Sequence, residues 1–309
     1  MKQAWIAFVL CLGCFPWFSL SSLAAPNVIL ITLDGARYKE VFRMKSVLPK
    51  IKKKVSEGQI FEYRNVRIAN RVGISLPGYI SIMSGEFEKR CMQNECKNTT
   101  HSTFFDGLID HYGFDPRDLA TVASWENIGR AIELTPGRIY RDIGIQDEDK
   151  NDLPPWIGSR WDSRTFEHGL KYLEEKKPRA FYLSFVESDE YAHKHEYSNY
   201  VAAVQTLDDR LEKIQSLLST MGEYGDETSI VVTTDHGRGK WWMYSIHGAP
   251  WGGAGHAWAL VVPSPKYLRE KKLERLSLRK YSHTQIRPTL ETLLGLKPVK
   301  GRSLVKFVD

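Results

Sequence analysis

The sequence predicts an α/β domain built on a mostly parallel sheet. Helical and strand patterns alternate along the chain, the strand patterns are continuous apolar runs, and three of those runs stop at an acidic residue. A chain of 309 residues with 42% hydrophobic content can bury one large core or two modest ones, and the alternation favours one domain. The formal charge of +6, from 43 Lys+Arg against 37 Asp+Glu, is mild and scattered, so no nucleic-acid partner is indicated.

At the N-terminus, Lys2 precedes an apolar run from Ala4 to Leu20, followed by small residues to Ala25. A charged start, an apolar stretch and a small-residue end read as a signal peptide over residues 1–25, with the mature domain over 26–309. The rival reading is an uncleaved membrane anchor, because the run approaches spanning length. Leu12-Gly13-Cys14 loosely resembles a lipoprotein site, but Cys11 stands where an aliphatic residue belongs, and lipidation is not expected. An exported, periplasmic or secreted chain keeps only Cys91 and Cys96, which suit a disulfide across CMQNEC in an oxidising compartment. Asn98-Thr99-Thr100 is a glycosylation sequon by pattern.

Asn27 to Leu33 (NVILITL) is a buried-strand run ending at Asp34-Gly35, and a helix is expected through Arg37 to Glu57. Ile60 to Ile68 reads as a strand leading into Asn70, Arg71, Val72 and Gly73. Ser75-Leu76-Pro77 then has the signature of a helix start, with serine at the N-cap and proline in the first turn. Residues 86–103 lack periodicity and form a loop, Phe104 to His111 a short helix, and Leu119 to Ser124 a third strand. The proline-rich stretch from Arg130 to Arg160 is expected to be an irregular excursion over the active-site end. Ser163 to Lys176 is helical, and Ala180 to Val186 is a strand ending in Glu187-Ser188-Asp189. Ser198 to Met221 is a long amphipathic helix. Ile230 to Val232 form a strand that stops at Asp235-His236, a loop rich in tryptophan and glycine follows, and Ala257 to Val262 is the last strand. The terminal SHTQIRPTLETLLGL is a helix stopped by Gly295.

Parallel strands bring Asp34, Asp189 and Asp235 to one sheet edge, where ligands bind in open α/β folds. Asp189 and His193 are one helical turn apart and point the same way, a geometry that grips a metal. His236 adds a second imidazole, and His247 or His256 a third. Such a count exceeds what one tetrahedral ion needs and suits two ions about 4 Å apart, zinc first, with manganese or iron as alternatives. Ser75 at a helix start sits where backbone N–H groups favour an alkoxide or a phosphate. Taken singly these residues are ordinary, Ser75 an N-cap and Asp34-Gly35 a turn; their coincidence at several strand ends points to a metal site.

With those pieces in order, the chain resembles the alkaline phosphatase superfamily, and within it the nucleotide pyrophosphatase/phosphodiesterase-like branch. NVILITLDG, SLPGYISIMSG, ESDEYAH, VVTTDHG, IHG and IRPTLETLLGL carry the resemblance over nearly the whole mature chain. It implies a three-layer sandwich around a mostly parallel sheet and a di-metal hydrolase of phosphoric mono- or diesters that uses Ser75 as nucleophile. By the same resemblance Asp34, Ser75, Asp235 and His236 hold one ion, and Asp189, His193 and His247 the other. Asn70, Arg71 and Arg238, with Lys240 as a further possible clamp, are the candidates for contacts to a small-molecule or head-group phosphate ester, a surface role being the alternative for the three basic residues. Trp241, Trp242 and Trp251 either wall its pocket or pack under the loop. His101, His111, His168, His195 and His283 are left as surface or satisfied residues. A sulfatase would need an arginine where Tyr79 stands. A transferase of phosphoryl head groups shares the first half-reaction, and a non-catalytic exported binding protein on this scaffold is the alternative of another class.

Overall fold

In the computed structural model, which describes residues 25–70, 72–249 and 252–308, the apolar runs lie side by side in one sheet. Residues 1–24, on which the signal-peptide expectation falls, Arg71 and Trp251 lie outside the described residues. The strands are β1 (Asn27–Leu33), β2 (Phe61–Arg67), β3 (Leu119–Ala123), β4 (Tyr140–Ile143), β5 (Ala180–Phe185), β6 (Thr228–Thr233), β7 (His256–Val262), β8 (Leu273–Arg275), β9 (Tyr281–Ser282) and β10 (Val305–Phe307). Eight of them form a sheet in the order β4-β3-β5-β1-β6-β7-β2-β9, and β8 with β10 makes a small separate ribbon. All neighbours in the large sheet are parallel except β7, which runs against both β6 and β2. The expected mostly parallel sheet is therefore present, and the start of β7 lies at the edge where β6 ends.

Every residue of β1 is buried, because both faces of the sheet are covered. Val28 and Leu30 join one apolar cluster with α2 (Ser75–Ser84), α3 (Phe104–Asp110) and the last helix, α9 (Ile286–Leu293). Ile29, Ile31 and Leu33 join the opposite cluster, under α1 (Pro49–Ser56), α4 (Asp162–Lys176) and α6 (Tyr197–Thr220). Three layers result, helix on sheet on helix. The short helices α5 (Glu187–His193), α7 (Glu223–Asp226) and α8 (Pro265–Glu270) complete the chain. Among the described residues no helix is long and apolar enough to cross a membrane.

Register positions the acidic strand ends. Leu33 lies beside Phe185 and Thr32 beside Thr233, so Asp34 and Asp235, each two residues past the latter pair, stand level. Ser75 follows β2, whose end lies at the same edge.

Three expectations are corrected. Instead of one helix from Arg37 to Glu57, a single π-helical turn (Lys39–Arg43) precedes α1. Leu48 adopts a left-handed conformation (φ 56°) before Pro49, and the residue before a proline is pushed out of the helical region. The excursion between Arg130 and Arg160 contains β4, which pairs with β3 from Ala120/Tyr140 to Ala123/Ile143. Its YRDI sequence is too polar to signal a buried strand because it lies at the sheet edge. Ser75 is the first residue of α2, not its cap; Ile74 is the N-cap. The expected Cys91–Cys96 disulfide is present, with Cα atoms 5.4 Å apart.

Trp258 on β7 is fully buried, packs edge-on to Phe42 and donates its indole N–H to the Ala36 carbonyl at 2.7 Å. Trp258→Ala leaves a cavity and an orphaned Ala36 carbonyl, two residues after Asp34, and should lower unfolding stability by about 3–5 kcal/mol in denaturant titrations.

Candidate metal centre

The sheet edge gathers seven chemically active side chains that are far apart in sequence. Asp34 leaves β1, Asp235 and His236 leave β6, and Asp189 and His193 lie on α5, which follows β5 directly. His247 comes from the loop before β7, and Ser75 opens α2. Two sets of donor atoms converge within 4.8 Å: Asp34, Asp235 and His236 in one, Asp189, His236 and His247 in the other. His236 belongs to both sets, its ring stacked on that of His247 with centroids 4.0 Å apart. His193 Nε2 lies 2.9 Å from Asp189 Oδ2 and 3.0 Å from His247 Nε2.

The histidines are aimed by the backbone. Nδ1 of His236 lies 2.9 Å from the Gly237 carbonyl, and Nδ1 of His247 lies 2.8 Å from the Gly73 carbonyl. A carbonyl accepts only, so each Nδ1 carries the proton and each Nε2 presents a lone pair to the cluster. Asp235 is held by the Gly35 amide at 3.0 Å through Oδ1, while its buried Oδ2 has no hydrogen-bond partner. An orphaned carboxylate oxygen among imidazole lone pairs fits a small divalent cation. Oxygen and nitrogen donors in this proportion suit a divalent metal ion.

Electrostatics point the same way. Burial pushes the Asp34 carboxyl up to about 7, with Asp189 adding to it, and burial with Asp34 and Asp189 pushes Asp235 well above the carboxylate range. Burial also acts upward on Asp189, but Arg238, His247 and His193 together hold it well below the usual value. Burial depresses His236 and His247 to about 4, so both rings are neutral near pH 7 and able to ligate.

Ser75 Oγ stands 3.2 Å from His236 Nε2 and 3.4 Å from Asp34 Oδ1. The close approach needs Gly78, where a Cβ would lie 2.5 Å from the Asp235 carbonyl oxygen. Sequence reasoning missed Tyr79, one turn after Ser75, whose hydroxyl donates to Asp34 Oδ2 at 3.1 Å; the helical spacing was the available signal. It also missed Asn94, whose Oδ1 accepts from the Leu76 amide at 3.0 Å. Asn94 sits inside the Cys91–Cys96 loop, a contact that no local pattern announces.

Of the other residues singled out, Asn70 is buried, accepts from the Gly73 amide at 2.9 Å and leaves its Nδ2 without a partner. Arg238 is fully buried and pairs with Asp189, while its Nε and Nη2 donate to the Tyr244 and Ser245 carbonyls, so it braces the cluster and offers no free fork. His256 stands outside both donor sets. Trp241 and Trp242 are 79% and 78% exposed, which corrects the packing reading for both. His283, expected at the surface or satisfied, is wholly buried, and burial lowers its pKa to about 3.

Two measurements check this centre. An incoming cation must displace the protons that Asp34 and Asp235 hold, so metal affinity of chelated protein should rise with pH through about 7, by competition with a metal indicator. Gly78→Ala should lower metal occupancy by about tenfold at limiting metal, by elemental analysis, because α2 is pushed off Asp235 while the strands remain intact.

Residues 160–261 match the sequence model of the Metalloenzyme superfamily, a span that holds Asp189, His193, Asp235, His236 and His247. No curated protein sequence matches the chain. Among solved structures, a putative sulfatase from Bacteroides thetaiotaomicron is similar at a TM-score of 0.64 and 14% identity, over 91% of this chain and 74% of that one. Phosphonate monoester hydrolase of Agrobacterium radiobacter is similar at 0.60 and 14%, over 90% and 76%. Lipooligosaccharide phosphoethanolamine transferase A from Neisseria meningitidis, an integral membrane protein, is similar at 0.59 and 14%, over 88% of this chain and 55% of that one. The chain thus spans about half the length of that transferase. At such identities the likeness is one of fold. The chain is therefore similar to the Metalloenzyme superfamily in sequence over the span that carries five of the seven clustered residues, and similar in fold to solved sulfatase and phosphonate monoester hydrolase structures.

Proposed function

We propose that the chain is a metal-dependent hydrolase of phosphoric esters that works through a phospho-Ser75 intermediate. The observation that carries this reading is Ser75 Oγ at the first turn of α2, within 3.4 Å of both Asp34 and His236. Asp34, Asp235 and His236 would hold one ion next to Ser75, and Asp189, His193 and His247 the other. Two such ions supply Lewis-acid activation of the nucleophile and charge neutralisation at the leaving oxygen.

The chain's own groups do the positioning. Ser75 Oγ forms the bond to phosphorus as the ester oxygen leaves opposite it, and the departing alcohol takes up the proton that serine loses. Water then cleaves the phosphoserine and restores the hydroxyl. The N-terminal end of α2 favours negative charge on the serine oxygen and the phosphoryl group. Tyr79 and the Ser188 hydroxyl, bonded to the Asp34 side chain and carbonyl, keep that carboxylate aimed at Ser75.

Asn94 fits the contact to a phosphoryl oxygen better than Asn70. Its amide is tied to the residue after Ser75, whereas Asn70 is anchored at Gly73. The pyrophosphatase/phosphodiesterase-like branch that the chain resembles sets an asparagine against the phosphoryl oxygens, and Asn94 supports that branch. Tyr79 in the position of the sulfatase arginine, with its hydroxyl on Asp34, weighs against sulfate esters. The Cys91–Cys96 disulfide and the leader-like N-terminus support an exported enzyme acting on a small-molecule or head-group ester.

Ser75→Ala should abolish turnover of aryl phosphate mono- and diesters with metal content unchanged; retained turnover overturns the mechanism. Asn94→Ala should lower kcat about 10- to 100-fold with little change in metal content, and an effect smaller than that of Asn70→Ala would reverse the assignment between the two. Appearance of a new phosphate ester when an alcohol acceptor is added would make the enzyme a transferase.

A further inference from the structure

Behind the metal centre lies a cavity of about 580 Å³ whose walls carry an unbalanced positive charge. Lys39 and Arg43 face it from the π-helical turn after β1, Arg64 from β2 and Lys240 from the loop after β6, and no carboxylate lines it. Among the described residues, Lys39, Arg43 and Lys240 have no acidic partner, and the one ion pair of Arg64 is with the partly exposed Glu62. His256 also lines it; burial lowers its pKa, and Arg67 and Lys240 act in the same direction.

The surrounding structure holds the backbone at Lys240 in place. Arg37 is buried, bonded to Glu40, and donates through Nη1 to the Gly239 and Trp241 carbonyls at 2.8 and 3.0 Å. That strut fixes Lys240 between its two bonds and holds Trp241 in a left-handed conformation (φ 55°), sparsely populated for a residue with a side chain. The Trp241 indole stands exposed at the cavity rim. Arg238 forms the wall toward the metal centre, with its guanidinium committed to Asp189. The cavity is thus separated from the seven clustered residues by one buried side chain.

Like charges converging on a cavity repel unless an anion lies among them, and concave low-dielectric walls focus their field onto the contents. We propose that this cavity is an oxyanion-binding subsite, distinct from the metal centre, that takes a phosphate-, sulfate- or sulfonate-bearing group and stacks any attached ring on Trp241. The ammonium groups of Lys39 and Lys240 and the guanidinium groups of Arg43 and Arg64 supply charge-assisted donors. The assignment holds whichever ester the metal centre cleaves, and it accommodates two sources of the same chemistry, a free anion or a lipid head group.

The test uses naphthalene-1,5-disulfonate, a dianion without a hydrolysable ester, titrated calorimetrically into the metal-loaded protein. One saturable site is expected. Lys39→Ala combined with Lys240→Ala should weaken it about tenfold, whereas the charge-matched pair Lys171→Ala and Lys176→Ala on α4 should change it less than twofold. Absence of saturable binding, or equal losses in the two double variants, overturns the proposal. So does binding that Asp235→Asn removes and the pocket variant leaves unchanged, which would place the anion at the metals. Because no turnover is measured, failure here leaves the ester-hydrolase reading standing. A parallel sedimentation with phosphatidylglycerol vesicles identifies the source: binding that the pocket variant alone loses assigns a lipid head group, and no vesicle binding beside a saturable disulfonate site assigns a free anion.

Discussion

Mutual repulsion of Asp34, Asp189 and Asp235 is the constraint on which the rest of this structure depends. Three carboxylates are buried at one sheet edge, and Arg238 is the basic side chain paired with them there. The protein relieves the repulsion in part by leaving Asp34 and Asp235 as strong proton holders and by committing Arg238 to Asp189. What remains is an orphaned Asp235 oxygen and imidazole lone pairs aimed inward, a set of donors that cations satisfy better than protons do.

Much of the fold serves to hold that unfavourable arrangement together. The central strands are buried on both faces, so their ends are fixed by packing on two sides. Helix α2 approaches so closely that glycine is required at residue 78, which puts Ser75 and Tyr79 on opposite oxygens of the same Asp34 carboxylate. The reversed strand β7 matters as well. It brings the long loop after β6 back to the edge where it began, so that His247 reaches His193 and His236 while His256 is turned into the neighbouring cationic cavity.

The same loop therefore serves two environments of opposite sign. Arg238 stands between them, bonded to the acidic cluster on one side and closing the basic cavity on the other. A buried guanidinium with all three nitrogens bonded cannot swing away, so it separates the two environments.

The sequence by itself determined the sheet and its acidic strand ends, because continuous β-branched runs have few ways to be buried and a run that stops at aspartate marks its own terminus. It also determined that Asp189 and His193 share a face, since one helical turn fixes that locally. Tertiary structure alone decided that β7 runs backward, that YRDI forms an edge strand, and that His247 and not His256 joins the cluster. It alone decided that Ser75 is no cap, that Arg238 is a brace and that Asn94 reaches α2. Each of these rests on which residues meet across long separations in the chain, through loops whose paths are set by packing and hydrogen bonds rather than by any pattern within them.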